Sequence, residues 1–288
     1  MCLASGLVQC RQRAEPANRA AKVSQVRSDP QELQACAAED QWPPYDYLAP
    51  SGGGKVVGAS VDTLREVFRR TGRTVNVVAL PWKRCLHDVE LGQFQVALNA
   101  SANAERRRLY FISPALYRVN QTLYYLASAK GQFGDAPTMT TLAHMREALT
   151  RSPVRVCGLF GYNLSVFPIG GLALDQSPKS AAQAIAMLRR GRCSLVIGYR
   201  EPWDAAARLG MLDLSGTERA DIEEVPHLAY HFLSTRAAPD ATALAQTIAE
   251  GVEALRRDGT LQRLFAAYGV TALSGASGGS LNGTAEEP

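Results

Sequence analysis

Residues Val75–Ser101 read VNVVALPWKRCLHDVELGQFQVALNAS, and this stretch decides the fold. Val75–Leu80 is a compact, largely β-branched run of strand length. Trp82–Leu91 then turns to helical spacing, and Gly92 stands where a helix would stop. Val96–Ala100 returns to strand character. Working outward, Val61, Leu64, Val67 and Phe68 share one helical face, with Gly72 at the cap position. Ahead of them lie Val56-Val57-Gly58, the turn-rich Trp42–Gly54 and a weak strand candidate at Leu33–Ala37. A strand-helix-strand-helix-strand rhythm means a parallel sheet covered by helices.

The rhythm restarts downstream. Val154–Leu159 reads as a strand, Ala182–Arg190 as a helix with Ile185 and Leu188 on one face, and Leu195–Gly198 as a strand. Two extended runs, Gln121–Ala127 and Leu228–Ser234, flank this second unit and are expected to cross between two lobes. Two helices close the pattern. Leu244, Ile248, Val252 and Leu255 line the first, which Gly259 stops; Leu261, Leu264, Phe265 and Tyr268 line the second, which Gly269 stops. Core packing explains nearly all of these stripes; they establish architecture rather than chemistry.

The totals fit this reading. The 288 residues suffice for two ordinary lobes, and a hydrophobic fraction of 46% gives a globular core. A net charge of +4, with scattered arginines, argues against a nucleic-acid surface. No apolar run approaches the roughly 18 residues of a membrane span. Residues 1–32 and 271–288 read as poorly ordered ends. Residues 1–10 have a short apolar stretch without a basic start, so the expectation is that the recorded start differs from the biological one. Six cysteines show no metal spacing. Cys36 with Cys85, and Cys157 with Cys193, read equally as bridges in an oxidising compartment or as buried free thiols.

Catalytic and cofactor motifs are lacking. His87, His144, His227 and His231 sit in no nucleophile or metal motif. Ser51-Gly52-Gly53-Gly54-Lys55 lacks a preceding strand and a following hydroxyl, so it reads as a turn, not a phosphate loop. A binding constellation is better defined. Asn99-Ala100-Ser101 ends a parallel strand, the edge where open α/β sheets place ligands. Arg106 follows five residues beyond Ser101, placed to grip a carboxylate with the Ser101 hydroxyl beside it. Trp42 and Trp82 also follow strands and suit the walls of a cleft that excludes water. Gly161-Tyr162-Asn163 follows the Val154–Leu159 strand; a helix starting there would offer free N–H groups to a polar ligand.

These pieces resemble a known family. Trp42-Pro43-Pro44-Tyr45, Gly58 before Val61-Asp62, Leu80-Pro81-Trp82-Lys83-Arg84-Cys85-Leu86, and Glu105-Arg106 before Phe111-Ile112-Ser113-Pro114 look like the bacterial periplasmic solute-binding proteins of family 3, the polar-amino-acid type. Leu255-Arg256-Arg257-Asp258-Gly259-Thr260-Leu261 is similar to that family's closing helix pair. The resemblance runs from about Cys36 to Gly269.

The resemblance implies an α/β, two-lobe type II periplasmic binding protein fold with two hinge strands. Residues 33–125 and 228–270 would form lobe one and 126–227 lobe two, between ends at 1–32 and 271–288. By position, Arg106 would hold an α-carboxylate and Ser101 support it, with Trp42 as the wall of lobe one. Trp82, Asn99, Tyr162, Asn163 and Tyr199 complete the expected ligand set. Tyr162 and Asn163 stand where the family often has Thr or Ser. The acid that commonly meets the ligand amine would fall near Tyr199; this chain has none there, although Glu201 is close. That departure counts against a standard α-amino acid. The resemblance also favours Cys36–Cys85 and Cys157–Cys193 as disulfides. It implies a periplasmic, monomeric receptor that is not an enzyme and needs no cofactor. The receptor would deliver a small polar carboxylate, an amino acid or analogue, to a membrane ABC permease. The rival readings are a dehydratase-like enzyme on this fold, for which Glu201 and His231 are the candidates, and a ligand sensor.

Overall fold

A computed structural model of the chain describes residues 31–50, 52–132, 147, 154–164, 174–221 and 225–274. Cys2, Cys10, His144 and most of both expected poorly ordered ends lie outside these residues. β1 (Glu32–Ala38) opens the fold, with Leu33, Ala35, Cys36 and Ala37 fully buried. β2 (Tyr47–Leu48) and β3 (Val56–Val57) pair antiparallel. Gly52, Gly53 and Gly54 lie between them in the left-handed region with open space around each, so this run is a hairpin turn. α1 (Ala59–Arg69) buries Val61, Leu64, Val67 and Phe68. Gly58 precedes it at φ 136°, where a Cβ would stand 2.3 Å from the Tyr45 carbonyl oxygen. β4 (Thr74–Leu80), α2 (Trp82–Glu90) and β5 (Val96–Ser101) follow. The short α3 (Ala104–Leu109) is capped by Asn103, whose side chain accepts from the Arg106 backbone N–H at 2.8 Å. β6 (Phe111–Ile112) and β7 (Tyr117–Val119) come next.

The second unit contains β8 (Gln121–Leu126), β9 (Val156–Cys157), β10 (Leu174–Asp175), α4 (Ala181–Arg189), β11 (Leu195–Tyr199), α5 (Arg200–Arg208) and β12 (Thr217–Asp221). β13 (Leu228–Ser234), α6 (Ala241–Arg257) and α7 (Thr260–Ala266) end the described fold. The first sheet runs β4-β1-β5-β13-β6, with β7 beside β13; β1 is parallel to β4 and β5, while β13 is antiparallel to β5. The second runs β10-β9-β11-β8-β12, with β9 parallel to its neighbours and β8 antiparallel to β11 and β12. The chain thus crosses between sheets at Asn120 and returns between Asp221 and Leu228. α6 and α7 pack on α1 of the first unit.

Each unit carries one disulfide. Cys36–Cys85 joins β1 to α2, and Cys157–Cys193 joins β9 to the residues before β11. Among the described residues no helix is long and apolar enough to cross a membrane, and no group of three metal-ligating side chains occurs.

Candidate functional site

The carboxyl ends of β1 and β5 face the second unit, and their side chains are tied together. Asn99 sits at φ 54°, a left-handed conformation uncommon for a residue with a Cβ. Its Oδ1 accepts from the Ser60 hydroxyl at 2.6 Å and from the Tyr117 hydroxyl at 2.8 Å. Its Nδ2 donates to Asp46 Oδ2. The Trp42 indole N–H in turn donates to the Tyr117 oxygen at 3.1 Å, which fixes the Trp42 ring. Asp46 is 1% exposed, and its other oxygen, Oδ1, has no hydrogen-bond partner among the described residues. Burial pushes its pKa up to about 7 against the Asn99 hydrogen bond.

Arg106 projects from α3 and is 7% exposed. Its Nη1 donates to the Ser101 carbonyl at 2.8 Å and the Ser101 hydroxyl at 3.1 Å, and its guanidinium carbon lies 5.6 Å from the Trp82 ring centre. No carboxylate among the described residues pairs with it. Arg256, the other buried arginine among the described residues, donates to Glu253 and to two backbone carbonyls. Burial pulls the Arg106 pKa below its ordinary value. The burial of this guanidinium carries a desolvation cost that a paired anion would offset.

The second unit answers with rings. Tyr199 ends β11, fully buried, and its hydroxyl accepts from Gln121 Nε2 at 3.2 Å. The same nitrogen donates to the Asn163 carbonyl at 2.9 Å. Tyr162 donates across the cleft to Asp40 at 2.9 Å, and Asn163 Nδ2 reaches the Ala102 carbonyl at 3.5 Å. Burial raises the Asp40 pKa to about 6, opposed by the Tyr162 hydrogen bond. Trp42 meets Tyr199 edge-on at 4.8 Å and tilts against Tyr230 at 5.4 Å and Tyr162 at 5.6 Å. The two units therefore touch through an aromatic cluster centred on Trp42.

Two spaces adjoin Arg106. The inner one, bordered by Trp42, Asp46, Asn99, Ser101, Trp82 and Tyr230, is about 10 Å³, room for roughly one water. The outer one is an open cleft of about 940 Å³ between α2 and α3 on one side and residues 160–164 on the other.

The structure brings Trp42, Trp82, Asn99, Ser101, Arg106, Tyr162 and Asn163 to one place. Tyr199 stands behind them, against Trp42. Residues 162–164 have no regular structure, so a helix beginning at Gly161–Asn163 is not seen among the described residues. Sequence reasoning missed Asp40, Asp46, Tyr117 and Tyr230. Tyr230 had a signal: strict alternation along β13 puts it opposite His231 in facing. His231 turns away to hold the Ser113 carbonyl through Nδ1 at 2.7 Å. Glu201 accepts from the Asn120 backbone N–H at 2.8 Å and from Arg200, and borders neither space.

Comparisons with known proteins complete the picture. The family described as bacterial extracellular solute-binding proteins, family 3, matches residues 35–271. No curated protein matches the sequence. Among solved structures, the amino acid ABC transporter substrate-binding protein AbpA from Streptococcus pneumoniae Canada MDR_19A, bound to L-arginine, is similar at TM-score 0.64 and 16% identity, over 83% of this chain and 94% of that one. A histidine kinase sensor domain with similarity to periplasmic binding proteins is similar at TM-score 0.67 and 18% identity, over 84% and 98%. The ancestral amino acid-binding protein AncCDT-1, a precursor of cyclohexadienyl dehydratase, is similar at TM-score 0.63 and 14% identity, over 83% and 95%.

Proposed function

Because the chain belongs to the bacterial extracellular solute-binding proteins of family 3, we propose that it captures a carboxylate-bearing solute between two lobes and hands it to a membrane ABC permease. Its fold is the α/β type II periplasmic binding protein fold. The reading places lobe one on the β4-β1-β5-β13-β6 sheet and lobe two on the other, with hinges before Leu228 and at Asn120, moved back from the expected boundary after residue 125 because β8 pairs in the second sheet. One observation carries it: Arg106 is buried at the cleft with Ser101 oxygens as its hydrogen-bond acceptors and no carboxylate beside it among the described residues. Ser101 orients the guanidinium, Asn99 and Trp42 set the floor, and Trp82 flanks the charge. Tyr162, Asn163 and Tyr199 cover the site from lobe two. The receptor acts outside the cytoplasm, in the periplasm, as a monomer, and without catalysis. Glu201 and His231, the candidate acid and base of the enzyme reading, both point their chemistry elsewhere. The sensor reading has a specific support in the likeness to the kinase sensor domain; it differs in requiring a signalling partner in place of a permease.

The test is direct. A thermal-shift panel of amino acids, small carboxylates and amines identifies a ligand, since binding to the folded state alone raises the melting temperature. Arg106→Ala is then titrated by calorimetry. Loss of one partner of a buried charge pair costs about 2–5 kcal/mol. Unchanged affinity would remove Arg106 from the site.

A further inference from the structure

The middle of the cleft is already occupied by the protein's own rings. Trp42, Tyr162, Tyr199 and Tyr230 pack on one another at 4.8 to 5.6 Å. Most of these rings are pinned. The Trp42 indole is held by Tyr117, the Tyr199 hydroxyl by Gln121, and the Tyr162 hydroxyl by Asp40. What they leave beside Arg106 is the inner space of about 10 Å³. A single amino acid is several times larger than the one water that fits there. In this closed arrangement, seating it would require breaking the Tyr162–Asp40 hydrogen bond and separating Tyr162 and Tyr199 from Trp42.

On its other side Arg106 borders the open outer cleft of about 940 Å³, within the size range of sites that take drug-sized ligands. Both lobes build its rim. Lys83 on α2 lies 4.1 Å from the Phe160 ring centre. Gly161 comes so close to Lys83 that a Cβ there would stand 3.1 Å from the side chain. The lining mixes signs. Lys83 on α2, Glu90 at the end of α2 and Glu105 on α3 all face this space, and none forms an ion pair among the described residues. Many other surface charges of the chain are paired, among them Arg70 with Asp258 and Arg219 with Asp204. Leu86, Leu109 and Leu164 supply apolar contact between the charges.

We infer that the cargo is an elongated amphoteric carboxylate of short-peptide length, with its carboxylate on Arg106 and its body in the outer cleft. Its cationic end lies toward Glu90 and Glu105. This rests on the carboxylate-receptor reading above and narrows it from small solutes to longer ones. Lobe-two residues 160–164 then cover the ligand's backbone, and the aromatic cluster serves as the floor.

The experiment is titration calorimetry of the full chain with four probes. These are di- and tripeptides with free C-termini, the same peptides as C-terminal amides, their N-acetylated forms, and single amino acids. The expected result is a free-acid peptide binding at least about tenfold tighter than any single amino acid. Amidation or Arg106→Ala should lower that affinity by about 30-fold or more. Acetylation, or the double variant Glu90→Gln, Glu105→Gln, should lower it by about two- to fivefold. Tight binding of a single amino acid, lost in Arg106→Ala, would overturn the length class and leave the carboxylate receptor standing. Binding indifferent to Arg106→Ala would overturn both. A panel in which no peptide binds would also overturn the length class.

Discussion

The two halves of the cleft do different work with different materials. Lobe one presents a hydrogen-bonded polar floor: Ser60, Asn99, Tyr117, Trp42 and Asp46 form one chain of contacts, with Arg106 and Ser101 beside it. Its four main strands span six or seven residues each. Lobe two presents Tyr162, Tyr199 and the Asn163 amide, carries no charge into the inner space among the described residues, and rests partly on β9 and β10 of two residues each. On the receptor reading proposed above, charge would be read by the half with the more extensive ladders among the described residues, and coverage supplied by the half with fewer. Such a division suits a receptor in which lobe one engages the cargo first and lobe two closes on it.

The largest test of this contrast uses the disulfides. They close loops of similar size, with sequence separations of 49 for Cys36–Cys85 and 36 for Cys157–Cys193. Chain-closure entropy alone gives about 4 kcal/mol for each. If lobe two depends more on its covalent link, replacing Cys157 and Cys193 by Ala should lower the melting temperature more than replacing Cys36 and Cys85. Hydrogen exchange should then show faster opening around β9 and β11. Equal losses with uniform exchange would erase the structural asymmetry.

That asymmetry also governed what the sequence disclosed. Strands β1, β5 and β13 and helix α1 were legible because each buries several apolar residues, and β4 and α2 from their apolar spacing in the sequence, although β4 buries only Val77 and α2 only Cys85, Asp88 and Val89. α4, α6 and α7 were legible for the same reason as α1. β12 (Thr217–Asp221) was not, since TERAD at a sheet edge has one buried residue, Ala220, and no apolar alternation. α5 was missed although Pro202 in its first turn and the run Ala205-Ala206-Ala207 were visible signals. The strand expected at Val154–Leu159 shortens to Val156–Cys157, because ladder pairing stops there. Of the side chains that border the inner space, Arg106 and Trp42 were expected from their position after strands. Asp46 and Tyr117 belong to the site only through Asn99, a tertiary meeting that no local spacing encodes.

The polar floor itself can be broken next. Asn99→Ala removes two acceptor contacts and one donor contact, leaving Ser60, Tyr117 and Asp46 without this partner in a buried place. The expected loss is about 3 kcal/mol in denaturant unfolding, and the Trp42 ring should lose its fixed orientation in fluorescence. Stability close to wild type would mean the network is incidental to lobe one.

A pH series sharpens the same point. Burial raises Asp46 from 3.8 to about 7 and Asp40 from 3.8 to about 6. The folded state therefore holds more protons than the unfolded one between about pH 4 and 7, so this contribution is fully present below the unfolded value and is lost as pH rises through that window. Asp46→Asn should flatten the fall by on the order of 2 kcal/mol, read as melting temperature from pH 4.5 to 7.5. Glu66, held near 2 chiefly by Arg69, and Asp258, held below its usual range chiefly by its Thr260 hydrogen bond, act in the opposite sense and only at lower pH. A profile unchanged by Asp46→Asn would show that the carboxyl is hydrated in solution.

The smallest expected effect lies in lobe two and is the sharpest control. Tyr199→Phe deletes a hydroxyl that accepts from Gln121 Nε2 at 3.2 Å. That nitrogen carries two hydrogens; one keeps the Asn163 carbonyl at 2.9 Å, and the other loses this longer, weaker contact. The ring keeps its edge contact with Trp42 at 4.8 Å. A loss of about 1 kcal/mol in denaturant unfolding follows, the net worth of one hydrogen bond, because the ring contacts are kept. A cost equal to that of Asn99→Ala would place a second polar network in lobe two, and charge reading and coverage would no longer divide between the lobes.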